Sequence, residues 1–510
     1  MSESLRSDAI VGVIGAGAMG SGIAQVAAAA GHPVLLFDML PTAGARALEQ
    51  IRADLTKLVA RGKLAADIAQ ERAGRIRCAT TIEELAPAVL IVEAIVEDLQ
   101  IKSEILVRTE ALLDPAAIVT TNTSSLSVTA LGAKLARPER FAGLHFFNPA
   151  TQMPLVEVVS GAVTSQAVAA ALMATAAAWG KTPVQCRSTP GFIVNRIARP
   201  FYGEALRLLA ECATDSATLD ALLRESGGFR MGPCELMDLI GHDVNFAVTR
   251  SVYDGFFQDP RYKPSLLQQE FVLTGRLGRK TGQGFFSYDP GSPPLSPATA
   301  SAETAPSQVV FEGDLGPAQA LSSLSAAAGL HVEHRPGAGI IRLGDLVLAL
   351  TDGRTATERS RVEGPVALFD LALDYTNASR IGLACAANLP TPLKARAIGF
   401  LQALGKRVSV IDDVPGLAVM RTVAMIANEA ADVLHQGVAT APDIECAMTR
   451  GANYPVGPLE WARRVGTPYL VKVMDALDRD SPDGRYRTSP LLRRCAILEQ
   501  PLSFLPGVTS

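Results

Sequence analysis

The segment IVGVIGAGAMGSGIAQVAAAAGHPVLLFD, residues 10–38, restricts the possible folds of this chain more than any other part of its sequence. A β-branched apolar run at 10–14 enters a turn with three glycines, an alanine-rich stretch follows, and a second apolar run ends at Asp38. Strand, glycine turn, helix and strand in this order are typical of the first βαβ unit of a doubly wound parallel sheet. The sequence therefore predicts an α/β fold of the Rossmann type at this end of the chain.

The glycine turn has the spacing G-x-G-x-x-G, and each glycine has its own physical reason. The first permits a tight turn, the second lets the backbone approach a pyrophosphate, and the third allows the helix to pack closely on the sheet. Free N–H groups at the start of the helix would bind the phosphates. An acid after the second strand would bond the adenine ribose hydroxyls and repel a 2′-phosphate, which favours NAD over NADP. The residues predicted to bind NAD here are Gly15, Gly17, Ala18, Met19, Gly20 and Asp38.

Helical and strand-like stretches continue to alternate after this unit. Apolar residues have helical spacing over 45–64, and strand-like runs occur at 89–95, 118–121 and 141–147. In a doubly wound sheet, ligands bind beyond the carboxyl ends of the strands. We therefore expect the polar residues near these ends to converge at the cofactor site, namely Glu97, Asn122, Ser124, His145 and Asn148.

The stretch GLHFFNPATQMPLVEVVSG, residues 143–161, places His145 among phenylalanines and Glu157 inside an apolar strand-like run. Burying an ionisable group is costly unless the group finds a partner or loses its charge. A histidine and a carboxylate that satisfy each other can act as an oriented general base. Taken alone, a buried histidine is more often a core residue, and a buried glutamate can be half of a structural ion pair. The pattern by itself leaves both interpretations open.

Composition excludes several classes of function. The chain has 510 residues, 48% of them hydrophobic, and its formal net charge of −4 comes with no dominant basic block. This argues against nucleic acid or an anionic membrane surface as the main partner. The seven cysteines are scattered without a C-x-x-C pair, which suits a reducing compartment, and no secretory segment opens the sequence. We expect a globular, cytoplasmic protein that acts on a small molecule and has no metal site.

Four further motifs follow the glycine turn in order: TNTSSLS at 121–127, GLHFFNP at 143–149, LVEVV at 155–159 and PGFIVNR at 190–196. With these motifs, the chain closely resembles the 3-hydroxyacyl-CoA dehydrogenase family over about residues 8–289. Within that family it looks most like the bacterial long form of phenylacetate catabolism, which acts on 3-hydroxyadipyl-CoA. The resemblance implies the NAD-dependent oxidation of an (S)-3-hydroxyacyl-CoA to a 3-oxoacyl-CoA.

The resemblance also implies catalytic roles. His145 matches the family's catalytic histidine, which takes the hydroxyl proton as hydride leaves carbon 3, and Glu157 would fix the orientation of its ring. On this interpretation the two residues are partners. Ser124 would hydrogen-bond the hydroxyl or carbonyl oxygen of the substrate, and Asn195 would reach in from the first helix of the next domain. The structural alternatives are a helix cap for Ser124 and an interhelix contact for Asn195.

Two further pairs of residues are candidates for contacts with ligands. Glu97 and Lys102 match family positions that line the nicotinamide side of the site. The alternative is that both are solvent-exposed residues at the start of a helix. Lys57 and Arg61 lie at i and i+4 on one helix face, and coenzyme A carries several phosphate charges. We expect Lys57 and Arg61 to contact CoA, with a solvent-exposed charged face as the alternative.

The second half of the chain repeats the first. Residues 190–290 have helical spacing, and the proline-rich stretch at 289–308 is a predicted linker. Adding 225 to ten positions between 190 and 241 gives identical residues at 415–466, which indicates a duplication. Asn195 maps to Met420, and the intervening segment has strand-like runs at 346–350 and 366–373 but no glycine turn, so we predict one active site per chain. The predicted domains are an NAD-binding Rossmann domain at 1–188, an all-α substrate domain at 189–288, the linker at 289–308, a degenerate Rossmann-like sheet domain at 309–413 and a degenerate second all-α copy at 414–510.

Two other functions compete with this prediction. A β-hydroxyacid dehydrogenase of the 6-phosphogluconate type has a similar glycine turn, but it uses a helical lysine that PGFIVNR does not offer. A non-catalytic NAD-binding sensor would keep the glycines and lose His145 or Glu157, and both are present. The expected partner is the 3-hydroxyacyl-CoA substrate. The second helical copy is expected to pack on the first within the chain, and a homo-oligomer remains open.

Overall fold

The computed structural model describes residues 3–502, and within them the chain forms two compact units. The first consists of residues up to 196 together with 436–452. The second consists of 197–435 together with the residues from 453 onward. The segment 436–452 lies in the second helical copy by sequence, but its contacts place it in the first unit. In the part of the chain that is described, no helix is long and apolar enough to cross a membrane.

A sheet forms the centre of the first unit. Its strands are β1 (Val11–Ile14), β2 (Val34–Phe37), β3 (Ile76–Ala79), β4 (Leu90–Glu93), β5 (Ile118–Thr121), β6 (Phe141–Phe146), β7 (Leu155–Ser160) and β8 (Thr182–Arg187). Their order is β3-β2-β1-β4-β5-β6-β7-β8, with β6 and β7 antiparallel and every other pair parallel. The order reverses between β1 and β4, where doubly wound sheets bind their ligands. The predicted Rossmann-type sheet is confirmed.

Helices cover the faces of this sheet. They are α1 (Ala18–Ala29), α2 (Pro41–Ala60), α3 (Ala66–Gly74), α4 (Leu99–Glu110), α5 (Val128–Gly132) and α6 (Gln166–Ala178), and a short helix, α7 (Val194–Ile197), follows β8 along the chain. Because the strands are covered on both sides, β1, β2, β4 and β5 are buried at every position, as continuous apolar runs in parallel sheets require. The run predicted at 89–95 ends as a strand at Glu93, a buried carboxylate.

The second unit contains another sheet with helices. Its strands are β9 (Gln308–Glu312), β10 (His331–Arg335), β11 (Ile340–Leu343), β12 (Leu346–Leu350), β13 (Val366–Phe369), β14 (Arg380–Cys385) and β15 (Arg407–Val410), in the order β10-β9-β11-β12-β13-β14-β15. The helices that follow α7 along the chain are α8 (Arg199–Ala210), α9 (Ser216–Glu225), α10 (Pro233–Ile240), α11 (His242–Gly255), α12 (Leu266–Leu273), α13 (Ala320–Ala327), α14 (Ala356–Glu363), α15 (Thr391–Ala403), α16 (Val419–His435), α17 (Ala441–Gly451), α18 (Pro458–Val465), α19 (Thr467–Asp480) and α20 (Pro490–Ile497). Of these, α17 belongs to the first unit.

The repeat extends further toward the N-terminus than residue identities reveal. Adding 225 to both bounds of β7, α6, α10 and α11 gives the bounds of β14, α15, α18 and α19. In both sheets, the antiparallel pair β6–β7 or β13–β14 is followed by a parallel partner, β8 or β15. The duplication therefore includes the last three strands of each sheet, although few side chains there are shared.

In each unit, a helix of one copy packs on the sheet of the other copy. In the first unit, α17 packs on β7 and β8, and the amide of Arg187 donates to the carbonyl of Val438 at 2.8 Å. In the second unit, α9 packs on β14, and the Ser226 hydroxyl donates to the carbonyl of Arg380. α9 begins at residue 216 and α17 at residue 441, which differ by the repeat offset of 225, so the two helices are equivalent. The duplication has therefore exchanged them between the sheets.

Within the second unit, α8 of the first helical copy packs against α16 of the second. Glu204 on α8 and Glu429 on α16 are equivalent positions, and both are fully buried. The Tyr486 hydroxyl donates to Glu204 at 2.9 Å, and the Tyr262 hydroxyl donates to Glu429 at 2.6 Å. Each buried glutamate thus accepts a hydrogen bond from a tyrosine of the other helical copy.

Candidate active site

The glycine turn between β1 and α1 has the geometry that a dinucleotide needs. Gly15 has a φ of +105°, and a Cβ there would lie 2.5 Å from the carbonyl oxygen of Ala94. A Cβ on Gly20 would lie 1.8 Å from the carbonyl oxygen of Gly15, so the helix can pack this closely only without a side chain. A Cβ on Gly17 would meet nothing within 4 Å, which leaves the backbone open to a ligand. The turn therefore fits a pyrophosphate.

Asp38 follows β2 and is held beside this turn. Its Oδ2 accepts from the amide of Ala16 at 2.8 Å, and its Oδ1 accepts from the amide of Leu40 at 2.9 Å. A cavity of about 710 Å³ opens here, and its lining includes Gly17, Asp38 and Asn148. A fixed carboxylate beside the glycine turn suits ribose hydroxyls and opposes a 2′-phosphate.

His145 and Glu157 lie directly opposite each other on the antiparallel strands β6 and β7. His145 Nδ1 is 2.7 Å from Glu157 Oε2, and the side chains are 5% and 0% exposed. The other carboxylate oxygen accepts from the amides of Ile193 and Val194 at 3.1 and 3.0 Å. Both oxygens of Glu157 therefore have fixed partners, and the imidazole orientation is fixed through them.

Glu97 accepts hydrogen bonds from several polar groups that follow β5. Its Oε1 accepts from the hydroxyls of Thr123 at 2.6 Å and Ser125 at 2.9 Å, and from the amide of Ser124 at 2.9 Å. Burial acts to raise the pKa of the Glu97 carboxyl, but these hydrogen bonds and the charge of Lys102 outweigh it and hold the pKa below the usual range. The carboxylate is therefore ionised at neutral pH and fixes the turn that carries Ser124.

Lys102 is buried, with 1% of its side chain exposed, and does not present its ammonium to solvent. The Nζ atom is 2.6 Å from Glu93 Oε1 and 3.4 Å from Glu97 Oε2. Its contact with the turn that carries Ser124 therefore runs through Glu97. Sequence reasoning missed Glu93, although a carboxylate at the end of the apolar run LIVE carries the same signal that singled out Glu157.

The remaining predicted residues lie at the ends of the same strands or just beyond. The Asn122 side-chain oxygen accepts from the amide of Phe146 at 2.7 Å and so ties the end of β5 to β6. Asn148 lines the cavity beside Asp38. Asn195 lies on α7, next to Val194, whose amide binds Glu157. In the first unit, the structure thus brings these residues to the carboxyl end of the sheet.

Lys57 and Arg61 line a second cavity of about 550 Å³, formed by α1, α2 and the residues before β8. Lys57 is 3.0 Å from Asp54 in an exposed ion pair. Arg72 and Lys181 also line this cavity, and Lys181 donates to two backbone carbonyls. Sequence reasoning missed Arg72 and Lys181 because they are distant from Lys57 along the chain.

The second sheet carries no equivalent of the histidine–glutamate pair. Adding 225 to His145 and Glu157 gives Asp370 and Gly382, and the amide of Asp370 donates to the carbonyl of Gly382 at 2.9 Å. The Asp370 carboxylate accepts from the amides of Ala418, Val419 and Met420 at 2.7–2.9 Å. In place of a histidine paired with a glutamate, the second copy therefore has one carboxylate, Asp370, at the start of a helix.

Comparison with family models identifies the class of protein. The model of the 3-hydroxyacyl-CoA dehydrogenase NAD binding domain matches residues 10–189, and the model of that family's C-terminal domain matches 191–288 and 416–500. A third model, the reduced Rossmann-fold domain of 3-hydroxybutyryl-CoA dehydrogenase, matches 348–415. The chain belongs to the 3-hydroxyacyl-CoA dehydrogenase family, whose members are NAD-dependent oxidoreductases.

Individual relatives agree with this assignment. The chain is 43% identical to 3-hydroxyadipyl-CoA dehydrogenase of Escherichia coli K12 over 490 residues, which cover 96% of this chain and 98% of the relative. It is 40% identical to a probable 3-hydroxybutyryl-CoA dehydrogenase of Deinococcus radiodurans over 277 residues, covering 54% of this chain and 99% of the relative. The crystal structure of 3-hydroxybutyryl-CoA dehydrogenase from E. coli K12 matches with a TM-score of 0.89 at 42% identity, and the match covers 97% of this chain and 99% of that one.

Proposed function

We propose that this chain oxidises the 3-hydroxyl group of an (S)-3-hydroxyacyl-CoA to the 3-oxo group, with His145 as general base and NAD as hydride acceptor. The observation that carries the proposal is the buried contact of 2.7 Å between His145 Nδ1 and Glu157 Oε2 at the carboxyl end of the sheet. A buried imidazole oriented by a buried carboxylate is what proton removal from a secondary alcohol needs. The resemblance to full-length relatives supports the reaction class.

The contact also determines which nitrogen acts. An ionised carboxylate can only accept, so the proton of the neutral ring lies on Nδ1 and the lone pair on Nε2. Nε2 is then free to take the hydroxyl proton, and the imidazolium that forms is stabilised by Glu157. Because Ile193 and Val194 hold the other oxygen of Glu157, the carboxylate need not reorganise during the step.

Two polar groups are proposed to position the substrate. Ser124, on the turn held by Glu97, would donate to the reacting oxygen, and Asn195 would hold the same region from α7. NAD would bind along the glycine turn with its ribose at Asp38 and would supply the hydride acceptor. Asn122 and Asn148, which follow β5 and β6, would also bind the cofactor.

We further propose that Lys57 and Arg61 bind the phosphates of CoA. The cavity that they line carries four basic side chains with Arg72 and Lys181, against one carboxylate, Asp54. Clustered cations beside a cavity attract a polyanionic ligand. The loss of one exposed cation should therefore weaken CoA-ester binding and leave NAD binding unchanged.

The second helical copy is proposed to serve as a permanent partner of the first, with the domain boundaries expected from the sequence. The packing of α8 on α16 and the buried Tyr262–Glu429 and Tyr486–Glu204 bonds support this role. A partner in the same chain has a high effective concentration, and a linker such as 289–308 is long enough to permit it. We also propose a cytoplasmic location, which is supported by seven free cysteines.

Steady-state kinetics on a panel of 3-hydroxyacyl-CoA esters tests the reaction. We expect His145→Gln to lower kcat by about 10² to 10⁴, the usual contribution of a general base, with little change in ester binding. His32→Gln is the matched control, because His32 is also buried in the first unit and bonds only a backbone carbonyl in the described structure. Near-normal turnover of His145→Gln would exclude this base. A wild-type chain that binds NAD and oxidises no ester would instead indicate a non-catalytic sensor.

A further inference from the structure

Glu93 is a fully buried carboxylate that has no role in the steps above. It ends β4, where its register partners are Ile14, the residue before the glycine turn, and Thr121 at the end of β5. The strand order of the sheet reverses between β1 and β4. Because doubly wound sheets bind their ligands at this point, Glu93 lies at the base of the crevice expected to hold the cofactor.

Three groups donate to the Glu93 carboxylate. The ammonium of Lys102 lies 2.6 Å from Oε1, the amide of Ile95 donates to Oε1 at 2.7 Å, and the hydroxyl of Thr121 donates to Oε2 at 2.6 Å. An ammonium group in contact with a carboxylate favours the ionised form of both. Glu93 and Lys102 therefore form a buried ion pair in which both carboxylate oxygens have fixed partners.

Lys102 is shared with a second carboxylate. Its Nζ atom also lies 3.4 Å from Glu97 Oε2, and the other oxygen of Glu97 accepts from the amide of Ser124. Among the described residues, Lys102 is the one cation in ion-pair contact with either carboxylate. We call Glu93, Lys102 and Glu97 the shared-lysine cluster. Because it contains two carboxylates and one ammonium group, one negative charge of the cluster stays uncompensated.

The uncompensated charge lies beside the reacting centre of the proposed function. The Glu97 side chain is 35% exposed, and its carboxylate binds the amide of Ser124, the residue proposed to bond the reacting oxygen. The nicotinamide that reacts with this substrate must therefore lie near the cluster. Its ring carries a positive charge in NAD and none in NADH. A negative charge nearby stabilises the bound oxidised cofactor relative to the bound reduced one.

We propose that Glu93 raises the affinity of the site for NAD relative to NADH, because it engages Lys102 and so leaves one negative charge of the cluster uncompensated. This inference rests on the proposed function and deepens it by assigning the preference for one redox state of the cofactor to a named residue. Glu93 is a positioning residue, since it is fully buried and acts through Lys102 and Glu97. The preference assists oxidation, because NAD binds and NADH leaves more readily.

The test is Glu93→Gln, which removes one charge and keeps the shape of the side chain. The Thr121 hydroxyl can turn from donor to acceptor, so the glutamine amide keeps a partner there while its oxygen accepts from Ile95 and Lys102. Calorimetric titration without substrate gives Kd for NAD and for NADH separately. For a unit charge at roughly 10 Å and an effective dielectric constant of about 20, Coulomb's law gives a factor of roughly ten in an equilibrium constant. Because solvent screens part of this interaction, we expect the ratio of Kd for NADH to Kd for NAD to fall by about threefold to tenfold.

The matched control is Glu110→Gln. Glu110 is also a buried carboxylate, but it lies at the other end of α4, about 12 Å from Lys102 along the helix, and accepts from the amides of Ala136 and Arg137. Its variant should leave the ratio unchanged, since the loss of a merely structural carboxylate would affect both cofactors alike. Glu93→Asp keeps the charge and should retain the wild-type ratio even if both Kd values rise. If Glu93→Gln does not fold, Glu97→Gln decides instead, because it removes the same charge from a partly exposed position and should lower the ratio at least threefold.

An unchanged ratio in the folded Glu93→Gln variant would overturn the inference, as would an equal fall of the ratio in Glu110→Gln. An unchanged ratio in Glu97→Gln would overturn it if Glu93→Gln does not fold. These outcomes leave the reaction intact, because the two cofactors are titrated without substrate. A wild-type chain that binds both cofactors and oxidises no 3-hydroxyacyl-CoA would refute the proposed function itself, so the two failures can be told apart.

Discussion

Gly451, the last residue of α17, allows the second copy to pack tightly against the strand that carries Glu157. A Cβ at this position would lie 2.4 Å from Leu155 Cδ2 and 3.1 Å from Val194 Cγ2. Carbon atoms in contact are about 3.5–4.0 Å apart, so Gly451→Ala should push Leu155 by about 1 Å. Leu155 is 0% exposed and two residues before Glu157 on β7, and the Val194 amide binds Glu157 directly. The added methyl group should therefore disturb both supports of the Glu157 carboxylate.

The expected magnitudes follow from this geometry. Overpacking a buried site typically lowers the free energy of unfolding by about 1–3 kcal/mol. The higher helix propensity of alanine raises it by at most about 1 kcal/mol. We expect a net loss of about 1–2 kcal/mol in stability. Since a displacement of about 1 Å can cost up to 10²-fold in rate, kcat should fall at least tenfold. NAD affinity should stay within about twofold, because β4, β5 and β6 separate β7 from β1 and its glycine turn.

Gly74→Ala provides the matched control, because Gly74 also ends a helix, α3, and a Cβ there would meet nothing within 4 Å. This variant should be neutral or slightly more stable, by up to about 1 kcal/mol. The assay compares kcat, NAD binding by fluorescence titration and urea unfolding for both variants. Wild-type turnover in Gly451→Ala, with a stability equal to that of Gly74→Ala, would refute the argument that α17 supports the site.

Four further outcomes are expected. NADP should bind at least tenfold more weakly than NAD, about 1.4 kcal/mol, and Asp38→Ala should narrow that difference; equal kcat/KM for both cofactors would mean that Asp38 is not at the ribose. Lys57→Ala should raise KM for the CoA ester without changing kcat. Lys63 does not line the cavity, so Lys63→Ala should leave both KM and kcat unchanged. Burial raises the pKa of Asp370 to about 6, compared with about 3.9 in the unfolded chain. The free energy of unfolding should therefore fall by up to about 3 kcal/mol as the pH rises from about 4 to 6. The urea midpoint of the wild-type chain should fall over the same pH range, and that of Asp370→Asn should not. A truncation ending near 289 removes α16 and α17 and should self-associate or aggregate in sedimentation experiments; a monomeric, fully active fragment would exclude the proposed partner role.

Features with a local cause could be predicted from the sequence. The glycine turn depends on backbone geometry at three positions, and a Cβ at Gly15 or Gly20 would collide with neighbouring backbone. The strands that follow are apolar runs because both faces of the sheet are covered, so their approximate positions follow from composition. Polar residues that end such strands meet at one edge of the sheet. The contact between His145 and Glu157 has another origin, because the family resemblance implied it and the two residues lie directly opposite each other on the antiparallel strands β6 and β7.

Features that depend on packing could not be predicted in this way. Lys102 matches a position beside the cofactor, but its ammonium is buried between Glu93 and Glu97, and only the positions of the strands reveal that. The offset of 225 identifies α9 and α17 as equivalent helices. It does not tell which sheet each of them covers, because both assignments preserve the sequence pattern. The support that α17 gives to β7 is therefore visible only in the structure.

The second copy also clarifies the two functions that Glu157 combines. In the first sheet, one oxygen of Glu157 holds the amides of Ile193 and Val194, and the other binds His145. In the second sheet, Asp370 lies at the histidine position and holds the amides at the start of α16, opposite a glycine at the glutamate position. A carboxylate at the start of this helix is thus retained even where no base is present. The helix contact has a structural value of its own, because unpaired buried amides would cost about 1–3 kcal/mol each. Under the proposed mechanism, only the oxygen facing His145 would therefore be specific to catalysis.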